Sequence, residues 1–174
     1  MTESAQSPAG YANLATLIAR MAGTIGSQHY PTGDRAMLRR WAPGQPIPLA
    51  FYRLWLCRLE NELPPEAQTA GWMALAWGLA QMGVGSHIPK RPWGRALAEA
   101  GFSEHRLERL LAAPEDVRID LFMDAIRILA SRHESFDWVE AARFLLTTDP
   151  DKREGVQRRL AQAFYRYQPQ KAKE

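Results

Sequence analysis

A chain of 174 residues, 46% hydrophobic and 24% charged, suits one ordinary domain or two small helical lobes sharing a core, and excludes wholesale disorder. Its 22 basic and 19 acidic residues leave a net charge of +3, so bulk charge excludes little and its distribution matters more. The single cysteine, Cys57, excludes a disulfide framework and a cysteine-based zinc site, and fits a reducing cytoplasm.

No window alternates apolar and polar residues with the period of a strand, and every periodic segment is helical. A first helix is expected from about Tyr11 to Met21, with Leu14, Leu17, Ile18 and Met21 on one side. A second is expected from Asp34, a good N-cap, to Trp41, stopping before Pro43-Gly44. From Pro48 to Glu62 nearly every residue is apolar, which predicts a buried helix carrying Phe51, Leu54, Trp55 and Leu59. Pro64-Pro65 opens another, with Trp72, Leu75, Leu79 and Met82 on its most hydrophobic face. Gly83-Val84-Gly85-Ser86 begins a hinge that ends near Pro92.

Short helices are expected at about 93–100 and 103–112. A long one follows Pro114, with Val117, Leu121, Ala125 and Ile128 along its apolar face. Trp138 to Thr147 forms the next, and the last starts at Asp149-Pro150, a cap followed by proline in the first turn. Its seam is Val156, Leu160, Ala163, Phe164 and Tyr167. The fold class expected is all-α: two helical lobes, 11–84 and 93–168, joined by a short Gly/Pro-containing hinge. Residues 1–10 and 169–174 are expected to be flexible. The polar stretch Met1 to Gly10 lacks an apolar signal core, and the uncharged run Ala67 to Ile88 is interrupted by glycines. A soluble cytoplasmic protein is expected.

Eighteen of the 22 basic residues are arginine, which keeps its charge at any accessible pH and presents a planar fork that fits phosphate oxygens. Arginine-rich composition also follows from a GC-rich genome, so position decides. In the helix at 34–41, Met37, Leu38 and Trp41 share an arc flanked by Arg35 and Arg39 on one side and Arg40 on the other. An ordinary amphipathic helix with solvated arginines shows the same pattern. In the last helix Lys152, Arg159 and Arg166 are spaced by seven and form one ridge, with Arg153 and Arg158 on neighbouring faces. Such a ridge is also the pattern of a solvated face beside a packed seam; residues 152–173 carry seven Lys/Arg against Glu154 alone, which raises the phosphate-binding reading. Arg127 shares a stripe with Asp120 and Asp124, and Arg106 and Arg109 sit among Glu104 and Glu108, so local pairing accounts for them. The tryptophans fall mostly on apolar faces; Trp93, beside Lys90 and Arg91, is the one kept as a possible base-stacking contact.

Enzyme signatures fail in turn. Gly83-Val84-Gly85 follows a helix and lacks the lysine of a phosphate-binding loop. His133-Glu134 has Asp137 where a zinc helix needs its second His, and the remaining histidines lack ligand spacing. No catalytic residue, cofactor or metal is expected. A free-standing DNA-binding regulator would need base-reading Asn or Gln at the start of a recognition helix, and none is found.

Several ordered blocks carry a resemblance. They are Gly33-Asp34-Arg35-Ala36 with Leu38-Arg39-Arg40, Ile47-Pro48 with Ala50-Phe51-Tyr52-Arg53-Leu54, and Gly94-Arg95-Ala96-Leu97-Ala98. Ser103-Glu104-His105-Arg106, Asp137-Trp138, Ala142-Arg143 and Lys152-Arg153 follow. In this order the chain resembles the CasB family, the small subunit of the type I-E CRISPR complex called Cascade, over roughly residues 33–165. The resemblance implies a non-catalytic, two-lobed helical subunit, two copies of which lie side by side against the backbone and large subunits. It implies basic grooves that hold the displaced DNA strand while guide RNA pairs with its target. Carried over by motif position, the nucleic-acid-binding residues are Arg39, Arg40, Arg106, Arg127, Lys152 and Arg153; Arg159 joins them from the ridge. Gly94 and Arg95 are expected to be structural. The competing reading is an assembly adaptor whose arginines meet only protein.

Overall fold

The computed structural model describes residues 13–169. The start at Tyr11 and the flexible segments 1–10 and 169–174 lie outside those residues, Pro169 excepted. Nine α-helices and no strand are present among the described residues. Helix α1 (Leu14–Ile25) buries Leu14, Ile18, Met21 and Ile25, one residue per turn, and runs a turn past its expected end. Helix α2 (Thr32–Arg40) begins two residues before Asp34, behind Pro31. Asp34 is therefore a first-turn acid rather than a cap, and its carboxylate takes Arg53 at 2.7 Å.

The apolar run after Pro48 is not one α-helix. Helix α3 (Leu49–Tyr52) widens into a π-helical turn at Arg53–Arg58, with the Leu59 N–H donating to the Leu54 carbonyl at 2.8 Å. Glu60, at φ 49°, ends it in the left-handed region. A 3₁₀ turn at Glu66–Gln68 leads into α4 (Thr69–Met82), which starts later than the two prolines suggest. Every residue of α4 from Gly71 to Ala80 is buried, as expected of a helix apolar on all sides. It is the central post, packed by α1 and α2 on one flank and by the later helices over Glu115–Ser131 and Trp138–Leu146 on the other.

Gly83 (φ +76°) stops α4, and residues 83–92 cross to α5 (Trp93–Glu99). This crossing is pinned by the Ile88 N–H on the Phe136 carbonyl at 3.0 Å and the Phe136 N–H on the Ser86 carbonyl at 3.3 Å. Then come α6 (Glu104–Leu111), α7 (Glu115–Ser131), α8 (Trp138–Leu146) and α9 (Pro150–Tyr167). Ser103, Asp137 and Asp149 cap α6, α8 and α9 through the N–H groups of Arg106, Val139 and Lys152. The most extensive helix–helix contact joins α5 to α9. It is possible because residue 94 is glycine: a Cβ there would stand 2.7 Å from the Phe164 backbone nitrogen.

Helix α7 turns a different face inward from the one its pattern suggests. Phe122, Ala125, Ile126 and Leu129 are buried while Val117 is exposed. Aromatic packing decides between two adjacent apolar arcs. Trp93 lies edge-on to Phe122 and Phe144, stacks with Phe136, and Phe136 stacks in turn on Trp138 at 4.7 Å. Trp93 is 1% exposed, so it is a core residue and not a base-stacking surface. One buried cluster runs from α1 to α9, across the crossing at 83–92.

His87 sits where that crossing meets α8. Its Nδ1 accepts the Trp138 N–H at 3.1 Å, which needs the ring neutral. Burial pushes its pKa down, against the pull of Asp137 at 3.9 Å. A base depressed on folding contributes stability that is present above its unfolded pKa and lost as the pH falls through the folded one. The thermal midpoint is therefore expected to drop as the pH falls below about 6.5. Glu140, raised by burial, works in the opposite sense in the carboxylate range. Thermal unfolding from pH 7.5 to 5 should accordingly show a shallower fall in His87→Gln than in the wild type.

Candidate nucleic-acid interface

Many of the arginines are spent on the fold. Arg20 donates to the Leu59 carbonyl at 2.7 Å. Arg35 ties the start of α2 to the end of α1 through the carbonyls of Ile25 (2.8 Å) and Ser27 (2.9 Å). Arg91 bridges Glu99 and Glu134 and donates to the Ser135 carbonyl. Arg95 pairs with Glu99 and lies over the Tyr167 ring at 4.8 Å, a structural placement like that of Gly94. Arg118, which no periodicity singles out, is buried.

Seven of the others gather in two grooves and at one helix end. Between α6 and α7 a groove of ≈ 390 Å³ is lined by Arg106, Arg109, Asp124 and Arg127 over an apolar floor that includes Phe102 and Leu121. It brings Arg106 and Arg127 together although 21 positions separate them. Arg127 pairs with Asp124 at 2.9 Å, an exposed i,i+3 contact worth a few tenths of a kcal/mol, and covers Trp77 at 5.1 Å. One turn along α4 from Trp77, the Gln81 amide donates to the Arg39 carbonyl at 3.1 Å. Arg39 and Arg40 are exposed in the last turn of α2, where the helix dipole favours cations. Among the described residues no carboxylate is within ion-pair distance of Arg39, Arg40, Arg106 or Arg109.

The second groove, ≈ 350 Å³, lies between α8 and α9 and is lined by Arg143, Thr147, Lys152, Gly155, Val156 and Arg159. The seven-residue spacing puts Lys152 and Arg159 on one side of α9, and α8 adds Arg143 opposite. Arg153 is half-buried and does not line this groove, because one residue on turns its side chain by about 100°. Under the groove Glu140 accepts the Trp93 N–H. Burial raises the Glu140 carboxyl above the usual range, with Arg159 and Arg143 pulling it back.

A further groove, ≈ 660 Å³ between α6 and α9, carries Glu104 and Glu108 with His105 and Tyr165 and has the wrong charge for phosphate. Helix α6 thus divides its charges, arginines toward α7 and carboxylates toward α9. That split shows why sequence reasoning undervalued Arg109: Glu104 and Glu108 are its neighbours in sequence but lie on the opposite side of the helix. The readable signal was spacing, with 106 and 109 three apart on one side and 104 and 108 four apart on the other. Arg143 had no such signal, since only the α8–α9 packing brings it to Lys152.

Among the described residues no three His, Cys, Asp or Glu side chains are placed to hold a metal ion, and no helix is long and apolar enough to cross a membrane. No curated protein and no solved structure matches the chain significantly. The family profile described as CRISPR-associated protein Cse2 matches residues 34–165, which hold every arginine of both grooves together with Arg39, Arg40 and Lys152, and the chain belongs to that family.

Proposed function

We propose that this protein holds the displaced DNA strand during target opening, through sequence-neutral contacts from its two arginine grooves and the end of α2. As a Cse2-family protein it is a subunit of a CRISPR Cascade complex, and the family is a structural one. Exchange of a DNA duplex for an RNA–DNA hybrid is nearly balanced, so modest contacts to the freed strand suffice to tip it. Base pairing supplies specificity elsewhere, and phosphate contacts need carry none. The reading rests on one observation: Arg106 with Arg127, and Lys152 with Arg159 and Arg143, converge from different helices on grooves where few carboxylates compete. In the complex, two copies of the chain, lobes 11–84 and 93–168 in each, would lie against the backbone and large subunits in the cytoplasm.

The isolated protein is expected to bind single-stranded DNA without sequence preference. With about five phosphate contacts, log affinity should fall against log salt with a slope near −3.5. No binding at low salt, or a salt-independent signal, refutes the reading. A second reading, an adaptor that meets only protein, draws on the exposed Leu49, Leu56 and Leu63 in the segment around the π-helical turn. Crosslinks from assembled complex to neighbouring subunits, with none to DNA, would select it.

A further inference from the structure

Arg118 is the one charged residue among the described residues that is fully buried, at 4% exposure. Its Nε and Nη2 are closed to solvent and have no hydrogen-bond partner among the described residues. Among the described residues no carboxylate lies within ion-pair distance, and the guanidinium carbon lies 6.0 Å from the centre of the Phe144 ring. A guanidinium cannot escape burial by losing a proton, so a buried one without an acceptor is strongly unfavourable until an anion answers it.

Arg118 lines a cavity of ≈ 200 Å³ where the starts of α4 and α7 meet the end of α8. The cavity wall includes Ala70 and Gly71, in the first turn of the 14-residue α4, which receives no side-chain cap. The 3₁₀ turn at Glu66–Gln68 runs directly into it and takes the Thr69 N–H on the Glu66 carbonyl, so the helix start contributes its dipole and not free donors. The Gln68 amide and the Thr148 hydroxyl, also on the wall, add donors. Glu115 is the sole carboxylate there; three residues before Arg118, it makes no ion pair with it and confines an anion to the Arg118 side.

We propose that this cavity is a binding site for one small tetrahedral oxyanion of the phosphate class, with Arg118 as its charge and the Gln68 amide and Thr148 hydroxyl as its remaining donors. The space takes a phosphate-sized ion. The site is separate from the two surface grooves and does not depend on nucleic-acid binding.

Thermal unfolding of the full chain, with chloride replaced stepwise by inorganic phosphate at constant pH and ionic strength, tests it. The wild-type midpoint should rise by about 5–10 °C once phosphate exceeds its dissociation constant a hundredfold. The rise should be lost in Arg118→Met, whose apolar side chain suits the buried position, and kept in the double variant Lys152→Glu, Arg159→Glu. If Arg118→Met does not fold, Gln68→Glu at the half-buried wall takes its place and should shrink the rise at least threefold. No rise in the wild type, a rise that survives Arg118→Met or Gln68→Glu, or an equal rise with acetate each overturns the proposal.

Discussion

Reversing four groove charges together, Arg106→Glu, Arg109→Glu, Lys152→Glu and Arg159→Glu, is expected to weaken single-stranded DNA binding several-hundredfold at about 0.1 M salt. Each phosphate contact is worth about 0.7 of a log unit per tenfold change in salt, so losing four of about five removes on the order of three log units between 1 M and 0.1 M. The salt slope should shrink in parallel, from near −3.5 to near −0.7. All four side chains are exposed, so the fold should survive, and circular dichroism with thermal unfolding checks that. Neutralising Glu104 and Glu108 in the acidic groove should leave the affinity unchanged or raise it slightly. A folded quadruple variant that binds within twofold of wild type would remove both grooves from the interface.

The second large effect is on stability. Gly94→Ala should cost about 3 kcal/mol, the upper part of the range for overpacking, because the added carbon meets backbone rather than a side chain that can rotate away. The Leu160 carbonyl, the Phe164 nitrogen and the Ala163 methyl all lie in its path. For a chain of this length that is a drop of about 6–12 °C in the thermal midpoint. Gly155→Ala, on the same α9 where an added Cβ meets nothing, should be neutral or stabilising. Equal midpoints for the two variants would mean that α5 and α9 separate more readily than their packing implies.

Local chemistry made much of this legible. Asp149-Pro150 announced its helix, because capping depends on residues within three positions of one another. Lys152 and Arg159 could be paired in advance because a straight helix fixes what lies seven residues away. Features set by contacts between distant segments stayed hidden. Arg143 reaches the α9 ridge only through the packing of α8, and Trp93 looks exposed beside Lys90 and Arg91 until Phe122, Phe136 and Phe144 close around it. The inward face of α7 was misjudged because Val117, Leu121, Phe122 and Ile126 give it two apolar arcs. Asp34 has the chemistry of a cap, yet it answers Arg53 of the π-helical turn instead.

The contact at Gly94 also governs how force travels through the molecule. A load on Lys152 and Arg159 would be borne by α9, and at Gly94 α9 meets α5 with backbone against backbone. Helix α5 is in turn clamped at its first residue, where the Trp93 N–H is held by Glu140 and the indole sits in the aromatic cluster. A pull at the rim is therefore expected to reach the aromatic cluster through packed backbone, and not through side chains free to rotate.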